Sequence, residues 1–141
     1  MNATLLYRIA AVLLLLFAAG HTLGFLGFKP PSPEGLAVRD AMNNVVFQFK
    51  GSGYTYGNFY RGFGLTVTAY LLFSAYLAWH LGTLAASQPQ AIGILGWAFA
   101  AVQLACLVLS VMYFFPVPAL FSGAVVLCLA WAAWLASTAA A

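Results

Sequence analysis

Charged residues are confined to one stretch of this chain. Of the seven, six lie between Lys29 and Arg61, and the 80 residues from Gly62 to Ala141 carry none. A charged side chain at the centre of a bilayer costs roughly 2.5–3.5 kcal/mol, so an uncharged run of this length is typical of membrane-spanning segments. The chain is therefore expected to be an integral membrane protein with one polar, charged segment.

Composition narrows the classes of protein further. Hydrophobic residues make up 65% of the 141 positions, against about 45–50% in globular proteins. A chain of this length predicts a single domain, 1–141. The net charge of +3 comes from only five basic residues, which are too few for an extended basic patch. Nucleic acid is therefore not an expected partner, whereas membrane lipids are expected partners.

Four apolar stretches are long enough to cross a bilayer, which takes about 20 residues each. They cover 4–28, 59–85, 91–115 and 117–139, and proline-containing turns separate them. The short connections between the last three predict antiparallel neighbours. The predicted fold class is all-α, a four-transmembrane-helix bundle.

The remaining connection, 29–58, is predicted to be a long polar first loop that contains a short amphipathic helix over 34–49. Strand propensity in 45–49 leaves an extended conformation open for the end of that segment. We expect the loop to be an ordered cap, because its apolar side chains would otherwise face water. These side chains are Leu36, Val38, Met42, Val45, Val46 and Phe49.

Polar side chains are expected to converge on the side of the bundle where this loop lies. The first and third predicted helices end there, and the second and fourth begin there. The opposite side holds few polar groups. This asymmetry predicts a ligand-binding site formed by His21, Asp40, Asn58, Tyr60, Arg61 and Tyr113.

Two of these residues permit more than one interpretation. Arg61 begins a helix, where a cation opposes the helix dipole, so it is expected to have an anionic or carbonyl partner; the alternative is that it extends to lipid headgroups. His21 is either a structural histidine near a helix end or a residue that contacts ligand or transfers a proton.

Metal and haem chemistry find little support in the spacing of histidines and acids. His80 lies 19 residues beyond Arg61, or about 28 Å along a helix, so one haem cannot be held by both His80 and His21. No metal-ligand spacing and no nucleophile-and-base motif is visible. No metal site is predicted, no cofactor is assigned, and catalysis stays open.

Two local segments of the sequence resemble segments of a known protein family. The end of the first helix reads Gly20-His21-Thr22-Leu23-Gly24-Phe25, and the second begins Phe59-Tyr60-Arg61-Gly62-Phe63-Gly64. With the four-helix pattern and the long first connection, the chain resembles the small bacterial DoxX-like membrane proteins. The resemblance implies a four-helix fold in the bacterial inner (plasma) membrane and little about chemistry. The excess of basic residues places the loop in the cytoplasm, whereas the resemblance favours the outside.

The leading functional hypothesis is a membrane protein that binds a lipid, quinone or other amphipathic molecule on the loop side. Apolar helices would hold the tail, and His21, Arg61 and the tyrosines would hold the head. One alternative is a small membrane enzyme that uses His21 as acid or base and Arg61 to stabilise an anion. Another is a structural subunit of a homo-oligomer or larger membrane complex.

Overall fold

The computed structural model describes residues 2–139, and helices dominate them. Four helices are long and apolar enough to cross a membrane by length and composition, which supports the predicted membrane protein. They are α1 (Ala3–Gly27), α3 (Tyr56–Ser87), α4 (Gly93–Tyr113) and α5 (Pro116–Ala139). The predicted spans agree with these bounds to within three residues. A separate 3₁₀ turn, Pro89–Ala91, precedes α4.

The first connection contains a short helix, as predicted, and a long polar loop around it is not shown. The helix is α2 (Pro33–Asn44), and an antiparallel hairpin of strands β1 (Val46–Phe49) and β2 (Ser52–Thr55) follows it. Ser32 caps α2, since its side chain accepts the Gly35 N–H at 3.1 Å. The segment is thus folded for most of its length, and α3 begins three residues earlier than expected.

The predicted helix over 34–49 is wrong beyond Asn44, where the chain turns into strand β1. Lys50 and Gly51 have φ of 50° and 81°, the left-handed pair that a two-residue hairpin turn requires. This turn lets the β-branched and aromatic side chains of Val46–Phe49 pair with Ser52–Thr55. Leu36, Val38, Val45, Val46 and Phe49 are exposed and so are not buried against the described part of the chain; that the segment is an ordered cap stays a prediction.

Contacts divide the chain into two compact units. The first unit is Met1–Phe17 with Leu71–Ala141, and the second unit is Ala18–Tyr70. Helices α1 and α3 each contribute one part to the first unit and one part to the second. That the whole chain forms a single domain stays a prediction.

The first unit contains most of the buried core. Helices α4 and α5 pack against each other, and small residues such as Ala78, Ala100 and Ala132 are buried there. Small side chains let helices approach closely where no hydrophobic effect drives their association. Between α3 and α4, the buried Gln103 donates from Nε2 to Ser74 Oγ at 3.3 Å, and such interhelical hydrogen bonds are how polar side chains are accommodated in spans.

Candidate functional site

A cleft of about 580 Å³ lies within the second unit. We name it the α2 cleft, because one face of α2 supplies much of its lining. That face carries Gly35, Val38, Arg39, Met42 and Asn43, which are spaced by three and four residues as neighbours on a helix are. Asp40 also lines it. The end of α1 and its continuation supply Phe25, Leu26, Phe28 and Pro30, and the start of α3 supplies Gly57, Tyr60 and Arg61.

Asn43 joins α2 to the start of α3. Its Oδ1 accepts a hydrogen bond from an Arg61 guanidinium nitrogen at 3.3 Å, and its Nδ2 donates to the Arg39 carbonyl at 3.0 Å. A carbonyl partner for Arg61 was expected, and the amide oxygen of Asn43 fills that role. Gly57 permits the approach, since a Cβ there would collide with Asn43 Oδ1.

His21 and Phe25 fix the end of α1 against α3 within this unit. His21 Nε2 lies 3.0 Å from the Gly64 carbonyl oxygen, so Nε2 carries the proton and donates. The His21 ring stacks on Phe25 with centroids 5.2 Å apart, and Phe25 meets the edge of Tyr60 at 6.1 Å. A Cβ on Gly64 would lie 2.6 Å from the Phe25 ring. The absence of a side chain at Gly64 therefore leaves room for the ring.

Thr22, next to His21, and Thr68, one turn after Gly64, form a second link between α1 and α3. The number of hydroxyl protons decides which group donates. Thr22 Oγ1 lies 2.7 Å from the Ala18 carbonyl and 2.8 Å from Thr68 Oγ1, whereas Thr68 Oγ1 lies 3.3 Å from the Gly64 carbonyl. Two hydroxyls have two protons for three contacts. The two shorter contacts are both satisfied when Thr68 donates to Thr22 and Thr22 donates to Ala18. The Gly64 carbonyl then receives the proton of His21.

The structure brings together some of the predicted site residues. Asp40, Tyr60 and Arg61 line the α2 cleft, and His21 does not, although it stacks on the lining residue Phe25. Asn58 is outside the lining; its backbone N–H donates to Thr55 Oγ1 at 3.1 Å, which caps the start of α3.

Tyr113, the remaining predicted site residue, belongs to the first unit and is 71% exposed. Its place in a ligand site stays a prediction. Asn43 and Gly57 were not among the predicted site residues. The spacing of Val38, Arg39, Met42 and Asn43 along α2 was the signal that could have added Asn43 to them.

An aromatic cluster fixes the hairpin to α3. The Phe47 ring has its centroid 6.1 Å from Tyr54, 5.0 Å from Tyr56 and 5.6 Å from Phe59. Phe59 in turn lies 6.2 Å from Phe63 on the next turn of α3. Tyr56, Phe59 and Phe63 remain about half exposed or more, as amphipathic and aromatic rings at a membrane–water interface do.

The other polar sites are poorer candidates for ligand binding than the α2 cleft. A depression near the start of α1 is lined only by Asn2, Thr4, Leu5 and Arg8, which one short stretch of a single helix supplies. Arg8 is already engaged, with its guanidinium 3.5 Å from the Trp79 ring centroid and 3.2 Å from Thr83 Oγ1. Within residues 2–139, no group of three His, Cys, Asp or Glu side chains is placed to hold a metal ion.

The α2 cleft therefore combines three properties: apolar walls at the end of one span, charged groups of both signs, and an arginine at the start of another span. No protein-family model, curated protein or solved structure matches this chain.

Proposed function

We propose that this chain is an integral membrane protein that binds a lipid, quinone or other amphipathic molecule in the α2 cleft. One observation carries the proposal. Within a single cleft, Phe25, Leu26 and Phe28 offer an apolar surface, while Arg39 and Arg61 offer charge. Ligand sites are mostly apolar with a few placed polar groups, and their volumes run from about 300 to 1,000 Å³.

The length of α3 supports a position of the ligand head at the interface between hydrocarbon and water. At about 1.5 Å per residue, the 32 residues of α3 extend about 48 Å, longer than the hydrocarbon core of about 30 Å. The uncharged part of α3 begins at Gly62, so the excess falls at its start, where Tyr56, Tyr60 and Arg61 lie. Tyrosine and arginine are residues of the interface between hydrocarbon and water. The cleft would then place a polar head beside lipid headgroups and a tail beside α1.

The contacts of His21 favour binding over the alternative of an enzyme. Its Nε2–H is committed to the Gly64 carbonyl, and its ring supports Phe25, so in this proposal it positions the apolar wall. The bacterial inner membrane as location, and membership among DoxX-like proteins, rest on the sequence resemblance and are part of the proposal.

Native mass spectrometry of the purified full chain tests the proposal. Removing a charged hydrogen-bond donor typically costs more than 1.4 kcal/mol, which corresponds to tenfold in affinity. Arg61→Ala should therefore reduce co-purified lipid or quinone by about tenfold or more, and His21→Ala should reduce it less.

Arg8→Ala is the matched control, because Arg8 lies in the first unit and contacts Trp79 and Thr83. It should leave retention unchanged. Thermal stability is measured beside retention in every variant. Unchanged retention in Arg61→Ala with a large loss of stability would mean that Arg61 only holds α2, and the binding site would be abandoned.

A further inference from the structure

Three charged side chains line the α2 cleft, and they form few hydrogen bonds with the rest of the described chain. Arg61 makes one hydrogen bond, to Asn43. Among residues 2–139, neither the Arg39 guanidinium nor the Asp40 carboxylate has a hydrogen-bond or ion-pair partner. Charges of opposite sign thus line one cleft, and among the described residues they form no ion pair with each other.

This arrangement discriminates between possible head groups. A purely anionic head would suit the two arginines, but it would also bring a negative charge near Asp40. A head without charge would desolvate all three groups and pair none of them. Since desolvated charges are costly unless they are paired, the best fit is a head that carries both signs.

We propose, resting on the proposed function, that the α2 cleft selects an aminophospholipid, a lipid whose head carries a phosphodiester and a primary ammonium. The phosphodiester would face Arg39 and Arg61, because guanidinium groups match phosphate oxygens in charge and geometry. The ammonium would donate to Asp40. The first part of the acyl chains would lie along Phe25, Leu26 and Phe28.

Primary and quaternary ammonium groups are distinguished by this geometry. A primary ammonium has N–H donors for the Asp40 carboxylate, whereas a quaternary ammonium has none. Phosphatidylethanolamine and phosphatidylserine share the proposed chemistry. Phosphatidylglycerol lacks the ammonium, and phosphatidylcholine lacks its N–H groups, so these two lipids are the informative competitors.

The test is a competition experiment on the full chain. The protein is delipidated and exposed to equal amounts of the four lipids with identical acyl chains, and bound lipid is counted by native mass spectrometry. We expect the two aminophospholipids to exceed phosphatidylglycerol and phosphatidylcholine by about tenfold, the factor that one charge-assisted hydrogen bond supplies. Asp40→Asn should abolish this preference while phosphatidylglycerol stays bound or gains.

Glu34→Gln is the matched control, since Glu34 is an acid on the same helix that is not among the residues lining the cleft. It should keep the preference, and so should Asp40→Glu, which retains the carboxylate. If phosphatidylcholine binds as well as phosphatidylethanolamine, or if Asp40→Asn keeps the wild-type preference, the inference is overturned.

Failure of the inference can be told apart from failure of the proposed function. The protein could retain phosphatidylglycerol or quinone in a way that depends on Arg61 and show no preference for aminophospholipids. That outcome would overturn the inference alone. Absence of Arg61-dependent retention for every lipid would overturn both.

Discussion

The two arginines nearest the ends of α1 and α3 show how differently the two units use charge. In the first unit, Arg8 lies over the Trp79 ring at 3.5 Å and donates to Thr83. In the second unit, Arg61 makes one hydrogen bond to Asn43 and lines a cleft. Each guanidinium makes one side-chain hydrogen bond. Arg8 adds a ring contact within its own unit, while Arg61 adds its charge to the lining of the α2 cleft.

Burial shows the same contrast. The first unit buries Ser74 and Gln103 and pairs them with each other. In the second unit, most side chains are exposed, including Tyr60, Phe63 and Phe28. A unit with a packed interior is expected to respond to substitution through stability, and a unit with an open cleft is expected to respond through binding.

A loss of stability is expected when Gly96 in the first unit is substituted. A Cβ there would lie 2.7 Å from Tyr7 Oη and 3.0 Å from Ile92 Cγ2. Gly96→Ala should therefore destabilise the protein by about 1–3 kcal/mol, the usual cost of overpacking. Equilibrium unfolding in mixed micelles measures it.

Gly20→Ala is the control for that substitution, because a Cβ on Gly20 meets nothing within 4 Å. It should be neutral or stabilise by about 0.5–1 kcal/mol, since glycine is the poorer helix residue. Equal destabilisation by both substitutions would contradict the close packing around Gly96.

A smaller effect, of opposite sign, is expected at Tyr7. Its side chain is fully buried, and its hydroxyl has no hydrogen-bond partner among the described residues. Tyr7→Phe removes a buried unsatisfied group and should stabilise the protein by about 1 kcal/mol. Thermal unfolding of the purified protein measures the change.

Tyr60→Phe in the second unit supplies the comparison for Tyr7→Phe, since Tyr60 is about half exposed and lines the cleft. It should leave stability unchanged. A loss of stability in Tyr7→Phe would show that the hydroxyl has a partner, such as an ordered water.

The membrane spans were predictable from the sequence because exclusion of charge from hydrocarbon acts on every residue of a span. The uncharged run after Arg61 therefore located three helices to within a few residues. The hairpin was not predictable in the same way. It depends on a left-handed Lys50, a residue type that is not a usual signal for such a turn.

Part of the grouping of the candidate residues could be anticipated as well. Asp40, Tyr60 and Arg61 line one cleft, because the polar segment and the start of a span adjoin in the sequence; that they bind a ligand stays a prediction. Asn43 was missed as a site residue, since its role depends on the close approach of Gly57, a tertiary contact. His21 was expected at the ligand, but its Nε2 is directed to a backbone carbonyl of α3.

The central claim is that the α2 cleft holds an amphipathic molecule, and photo-crosslinking tests it most directly. A phospholipid with a photoreactive group near its head is incorporated with the full chain into nanodiscs, and adducts are mapped by peptide mass spectrometry. Adducts on 25–28 and 57–61 should decline with excess unlabelled lipid and in Arg61→Ala. Adducts on the exposed side of α4 around Leu104 and Val108 should decline in neither case. Equal, non-saturable labelling of both regions would contradict a binding site in the cleft.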